Sequence, residues 1–320
     1  MKGILETGVK CAATATLASL VFFGCGSDSG SGSGSLSVLL EGEEASVVKL
    51  ITDGWSAEYD KHIIVVGGIE LWYSSDRSLE ERAGDVFVVD LSRIPQAGLP
   101  LWELENLKSG RWEFHYSTPV ASIGSVRHDS VSESDYQSMI SNGWTYYVEG
   151  AISKSDGQSC PPSALVSAGE KEPNGKKSGE NDCYDARSVR FEFGAPVATA
   201  YGPCEVDGVS GVAIASGGVK TVSVTIHGDH LFFNGFPEGE ESSAHRLAQW
   251  IADCDLDLDG VVTEEELKAV APFRLPEIDE RYQLGGSPIT PLSSMYEYVI
   301  GQFMQQGHFQ GEGECPIGSL

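Results

Sequence analysis

Alternation of apolar and polar positions dominates the first two thirds of the chain. Short runs at 37–40, 55–59, 62–66, 69–73, 85–91 and 111–117 read as strands separated by turn residues. The clearest is Trp112-Glu113-Phe114-His115-Tyr116, which puts aromatic side chains on one face and Glu and His on the other. A short helix over 133–141 is stopped by Asn142-Gly143, and strands resume at 144–152, 187–193, 212–215 and 220–227. The pattern predicts a mainly β protein whose body, residues 36–233, is an antiparallel β-sandwich, with room for a sub-domain break near 130–145.

After residue 233 the period changes from two to 3.6. Ala244, Leu247, Ala248 and Ile251 keep the i, i+3, i+4, i+7 spacing of one buried helix face, and Leu267, Val270 and Ala271 form a shorter second face ended by Pro272. A last helix is expected between Thr290 as cap, Pro291 at its first position and Gly307 beyond its end, with Leu292, Met295, Tyr296, Val299 and Phe303 turned inward. Residues 234–320 are thus expected to be a helical region that begins with a helix-loop-helix.

Composition narrows the functions open to this pattern. A hydrophobic share of 41% with 21% charged residues is that of a chain able to bury a core. Twenty-one Lys and Arg against 47 Asp and Glu leave a net charge of −26, a field that repels phosphate backbones and excludes nucleic-acid binding.

The N-terminus carries a cellular address. Lys2 and Lys10 lead into a mostly apolar stretch over 12–23, too short to span a bilayer, and then into Phe22-Phe23-Gly24-Cys25. That tetrapeptide resembles the lipobox of bacterial lipoproteins. The resemblance implies that residues 1–24 are a signal peptide, that Cys25 becomes a lipidated N-terminus holding the protein to a membrane of the cell envelope, and that Gly26 directs it to the outer membrane. An ordinary cleaved secretory signal is the alternative. Residues 26–35 contain only Gly, Ser and one Asp, the composition of a flexible tether, so the folded part is expected from Leu36.

Of seven cysteines, Cys11 leaves with the signal and Cys25 takes the lipid, so five remain and at least one stays unpaired. Cys160 and Cys183 flank a polar loop over 161–182 that a disulfide would clamp, contributing roughly 3 kcal/mol. Cys204 and Cys315 are the second pair by elimination, and Cys254 is the free thiol.

Two constellations carry candidate chemistry. The first is the twelve-residue run 255–266, where Asp255, Asp257, Asp259 and Glu266 crowd carboxylates that repel one another until a cation neutralises them. This run resembles the calcium loop of the EF-hand family. The resemblance implies side-chain oxygens from Asp255, Asp257 and Asp259, a sharp turn at Gly260, the backbone carbonyl of Val261, an apolar anchor at Val262, a water-mediated contact at Thr263 and two oxygens from Glu266. A frame shifted by two, drawing in Asp253 and Glu264, fails because it puts Leu258 where the turn requires Gly. Thr263 and Glu266 also suit a simple capping box, and both roles can coexist. No second such loop is visible, which points to a weak calcium site with a structural role.

The second constellation is His227-Gly228-Asp229-His230, with His308 far along the chain. Imidazole and carboxylate suit zinc or copper, and a periplasmic carrier of such a metal is the alternative function. Residues three apart on a strand face opposite ways unless Gly228 makes a bulge, so an ordinary polar strand end is expected there. The motifs G-x-S-x-G, H-E-x-x-H and G-x-G-x-x-G are all missing, which favours a non-enzymatic protein over a hydrolase whose carboxylates cannot be singled out. No protein partner is indicated. The expectation is a calcium-binding, non-enzymatic lipoprotein of the cell envelope.

Overall fold

In the computed structural model the described residues are 32–167, 171–177, 181–237 and 244–318; the expected signal segment 1–24, Cys25 and the tether through residue 31 lie outside them. Nine strands and four helices position the features of interest: β1 (Ser33–Glu43), β2 (Ser56–Tyr73), β3 (Leu99–Lys108), β4 (Gly110–Thr118), β5 (Tyr146–Ser153), β6 (Ser188–Ala195), β7 (Val219–His227), β8 (Val261–Thr263) and β9 (Gly307–Phe309), with α1 (Glu133–Asn142), α2 (Gln249–Asp253), α3 (Glu264–Ala269) and α4 (Met295–Met304). The protein is mainly β. One sheet runs β9-β7-β1-β3, with β7 and β1 parallel and the outer pairs antiparallel. The larger sheet runs β8-β6-β5-β2-β4 and continues into short strands at Thr199–Tyr201 and Ile317–Gly318.

Side-chain alternation explains what each sheet buries. Leu36, Val38 and Leu40 of β1 and Val222, Val224 and Ile226 of β7 share one apolar cluster with Ile64, Val66 and Leu71 of β2 and with Phe303 of α4. Tyr146 stacks on Phe303 at 4.6 Å, one of the contacts that fix α4 to the large sheet. A smaller cluster lies beneath α1, around Ile63, Val88 and Met139. α1 starts where Ser132 accepts from Asp135 N and ends at Gly143 in the left-handed region, as the Asn142-Gly143 stop anticipates.

Several elements differ from the sequence expectation for identifiable reasons. The runs 55–59, 62–66 and 69–73 are one 18-residue strand, because register shifts between Tyr59 and Lys61 and between Gly67 and Glu70 bend β2 without ending it. Its first half pairs with β5 and its second half with β4. β3 was hidden by Pro100, which is tolerated because this strand is the outer one of its sheet. α4 begins at Met295 and not at Pro291, since Ser294 and Glu297 form the capping box that starts it. Ser33–Ser35, expected in the tether, are already paired in β1.

The chain from Gly32 onward forms one compact unit, and its last quarter is woven into the body. β8 pairs with β6, β9 with β7, and Ile317–Gly318 with Thr199–Tyr201. Cys160 is bonded to Cys183 and Cys204 to Cys315, while Cys254 is free and buried. No helix among the described residues is long and apolar enough to cross a membrane.

Two candidate cation sites

The acidic loop follows α2, which is shorter than the apolar periodicity of 244–251 implies. Asp53, from a distant turn, accepts from the N–H groups of both Ala248 and Gln249 at 2.8 Å, so the helix starts at Gln249. Before it, Arg246 is bridged to Ile51 and Phe233 in extended backbone. Within the second half of the loop, Val261–Thr263 pairs in parallel with Arg190–Glu192 of β6, and the Val262 side chain is fully buried. The loop is therefore joined to the large sheet, where a paired EF-hand would lean on a second loop.

Within the loop the carboxylates converge. One oxygen each of Asp255, Asp257 and Asp259 lies within 4.8 Å of the others. Gly260, at φ +89°, turns the chain and donates to Asp255 Oδ2 at 3.0 Å, while Asp259 N donates to Asp257 and Val261 N to Asp259. Asp255 is only 3% exposed, and its Oδ1 is buried and accepts no hydrogen bond. Burial first, then the charge of Glu266, pushes its carboxyl up to about 6, against the pull of the Gly260 N–H. Glu266 uses both oxygens on the protein: Oε1 accepts from Leu256 N at 2.8 Å and Oε2 from Thr263 N and Oγ1 at 2.9 Å. The capping box is thus formed, and Glu266 can reach a cation only in competition with it.

Neighbouring acids have other work. Asp253 is buried and accepts from Cys160 N at 2.7 Å and Gln249 Nε2 at 2.9 Å, which ties the first disulfide to α2. Glu264 pairs with Lys268. Lys171 donates to the Leu258 carbonyl, bringing an ammonium to the edge of the loop. Burial, with Asp253, Glu266 and Asp255 adding repulsion, pushes the Cys254 thiol up.

The histidine cluster departs from the sequence expectation. β7 ends at His227, and the chain enters a 3₁₀ turn over Gly228–Phe232, so the opposite-face rule of a strand does not apply to His230. Gly228 is required there: a Cβ would meet the Glu44 carbonyl at 2.7 Å, and its own carbonyl accepts from Tyr59 Oη. β9 then brings His308 alongside. The ring centroids of His227 and His308 are 4.4 Å apart, and those of His230 lie 5.2 Å from each.

Asp229 completes this corner. It is 2% exposed; its Oδ2 meets Arg246 at 2.6 Å, and its Oδ1 lies 3.9 Å from His227 Nδ1. On the other side of the same ring, His227 Nε2 is 3.4 Å from the Gly311 carbonyl and 3.7 Å from Glu43. Glu43 and Glu312 line an adjoining cavity of about 480 Å³ together with Glu205, Asp207 and Glu314, and no Lys or Arg among the described residues lines it. Burial and the charges of Glu312 and Asp229 hold the Glu43 carboxyl above its usual range. Glu205 N donates to Glu314 O beside the disulfide Cys204–Cys315, which secures this wall. Sequence reasoning found the histidines but missed Glu43, Arg246 and Glu312, which reach the corner only through strand pairing and chain return.

What the geometry defines is a disulfide-bonded, mainly β protein with clusters of acidic and histidine side chains that could hold a metal ion. No family model matches the chain, and no curated protein matches it. Among solved structures, MbnP from Methylosinus trichosporium is similar over 82% of this chain and 96% of its own, at 12% identity and a TM-score of 0.26, a likeness too slight to bear on function.

Proposed function

We propose that the protein is a non-enzymatic, calcium-binding lipoprotein of the bacterial cell envelope, held by lipid on Cys25, in which calcium fixes the EF-hand-like segment 249–269 onto a β-sandwich formed by the two large sheets. The observation that carries this reading is Asp255: a buried carboxylate with one oxygen lacking any donor, next to Asp257 and Asp259. A hard dication that prefers six to eight oxygens at about 2.3–2.6 Å satisfies that oxygen and removes the repulsion among the four acids. Asp255, Asp257 and Asp259 would supply the first ligands, with Val261 through its carbonyl and Glu266 where the ion outcompetes the cap. The two disulfides suit an oxidising compartment outside the cytosol, where calcium is abundant enough to fill a weak site.

Calorimetric titration with calcium at millimolar concentration is the test, paired with thermal melts in calcium and in chelator. At tenfold excess over Kd the ion stabilises folding by about 1.4 kcal/mol, a shift of about 2–4 °C for a chain of this size. Asp257→Asn should abolish the shift and leave the melt in chelator unchanged. Flat calorimetry and identical melts would sink the reading.

A further inference from the structure

We propose that His227, His230 and His308 form a second, chemically distinct metal site, one that takes a single divalent transition-metal ion of the zinc class with Asp229 as its carboxylate donor. The inference goes beyond the calcium reading and does not depend on it.

Ring spacing is the first support. A metal bound at about 2.0–2.1 Å from an imidazole nitrogen lies about 3.2 Å from the ring centroid, and a tetrahedral arrangement then separates the centroids by about 5.2 Å. The three rings stand 4.4, 5.2 and 5.2 Å apart. Ligand atoms of His227, Asp229 and His230 already lie within 4.8 Å of one another, against about 3.3 Å in a closed set, so inward rotation of the side chains completes the site.

The surroundings of His227 are the second support. Histidines that bind metal through one nitrogen characteristically offer the other N–H to a carbonyl or carboxylate. His227 turns Nδ1 toward Asp229 and Nε2 toward the Gly311 carbonyl and Glu43, which is that division of roles. Asp229 in turn is oriented by Arg246 through Oδ2, leaving Oδ1 on the side of His227.

Donor chemistry selects the ion. Calcium and magnesium require a shell of oxygens, whereas imidazole nitrogens with one carboxylate suit zinc and its neighbours in the transition series. His227, Asp229 and His230 are almost fully buried, and Glu43, 3.7 Å from His227 Nε2, links them to the cavity that it lines with Glu312. The five carboxylates of that cavity concentrate dications at the opening.

The test uses the purified full chain with Zn²⁺ for calorimetry and Co²⁺ for visible absorption. The expected result is one ion per chain at micromolar affinity or tighter, a four-coordinate, nitrogen-rich cobalt spectrum, and no displacement by millimolar calcium. His308→Gln should weaken zinc binding at least tenfold and His230→Gln at least a hundredfold, while Asp257→Asn leaves it unchanged; circular dichroism without metal checks that each variant folds. The proposal is overturned if the wild-type chain binds no stoichiometric zinc, if calcium displaces it, if folded His308→Gln binds as tightly as wild type, or if cobalt shows a six-coordinate, oxygen-only spectrum. The wild-type spectrum needs no variant, so it decides the matter even where a histidine substitution misfolds, and loss of calcium binding alone does not touch it.

Discussion

The loop at 255–266 and the corner at His227 both bury a carboxylate, but they balance its charge in opposite ways. Asp255 meets only the backbone N–H of Gly260, with five other acids within the same twelve residues, and its carboxyl is pushed up to about 6. Asp229, equally buried, faces the full charge of Arg246 at 2.6 Å. A partial charge from one amide cannot offset burial plus like-charge repulsion, whereas a guanidinium can. The acids of the loop are thus left without a charged partner for Asp255, while at the corner Asp229 has one and the surplus charge lies on Glu43 and Glu312. The corner also differs in donor type, since imidazole rings stand beside its carboxylates.

The sharpest way to break this contrast is to remove the internal cation. Arg246→Met strands Asp229 in the interior and also releases Glu44, which the same guanidinium holds at 3.3 Å. Breaking a buried pair from one side is costly; with the Arg246 side chain 22% exposed, the loss should be about 3 kcal/mol in urea unfolding without added metal. A loss below about 1 kcal/mol would mean that Asp229 does not depend on Arg246, and the two regions would no longer differ in kind.

Acidity provides the next test, since Asp255 in the loop and His62 in the core behind the Gly228 turn respond with opposite sign. Asp255 has a folded-state pKa raised from 3.8 to about 6, so it lowers stability as pH rises through that interval and ceases to do so below it. The His62 ring lies tilted against Tyr59, whose hydroxyl holds the Gly228 turn, and burial lowers the His62 pKa from 6.5 to about 4. It stays neutral when folded and charges when unfolded, so it lowers stability as pH falls from 6.5 to 4. The two contributions, each on the order of 3 kcal/mol at most, offset each other in the calcium-free protein. Asp255→Asn removes one of them. Relative to wild type, its urea midpoint in chelator should gain less on acidification from pH 6.5 to 4, and parallel curves for the two proteins would refute the assignment.

How much of this was legible in the sequence follows from where the parts lie along the chain. The acidic loop could be read because its candidate ligands and its turn glycine are contiguous and their order is itself the signal. The His227 corner could be read only as residue types. Its geometry depends on a strand that ends at His227, on a 3₁₀ turn, and on β9 returning from 80 residues away with His308. Arg246 and Glu43 carry no local signature of their role at all. The same division runs through the fold: α1 is marked by local caps at Ser132 and Gly143, whereas the start of α2 is decided by Asp53, nearly 200 residues earlier. The pairing of Cys160 with Cys183 and of Cys204 with Cys315 was reachable because the first two flank one polar loop and Cys254 sits beside the acidic run, which leaves the last two for each other.

Not every acid near the loop belongs to the cation side of the comparison, and Asp253 separates the two roles. Its hydrogen bonds to Cys160 N and Gln249 Nε2 are made inside the protein, whether or not an ion is bound. Asp253→Ala should therefore cost about 2 kcal/mol equally in calcium and in chelator, as measured by thermal or urea unfolding. Were the loss to appear only in calcium, Asp253 would have to be counted among the ligands, and the frame of the loop would need shifting.

The smallest effect probes the one residue that serves both the fold and the candidate ion. Glu266 shares its Oε2 with Thr263 N and Oγ1, and Thr263 Oγ1 is also the cap of α3. Thr263→Ala removes that cap, a loss of about 1 kcal/mol in chelator. In calcium the outcome should be milder, because the oxygen freed from the hydroxyl becomes available to the ion and tighter binding recovers part of the loss. Equal losses in calcium and chelator would place Glu266 wholly in the helix cap, leaving the three aspartates and the Val261 carbonyl as the loop's share of any cation site.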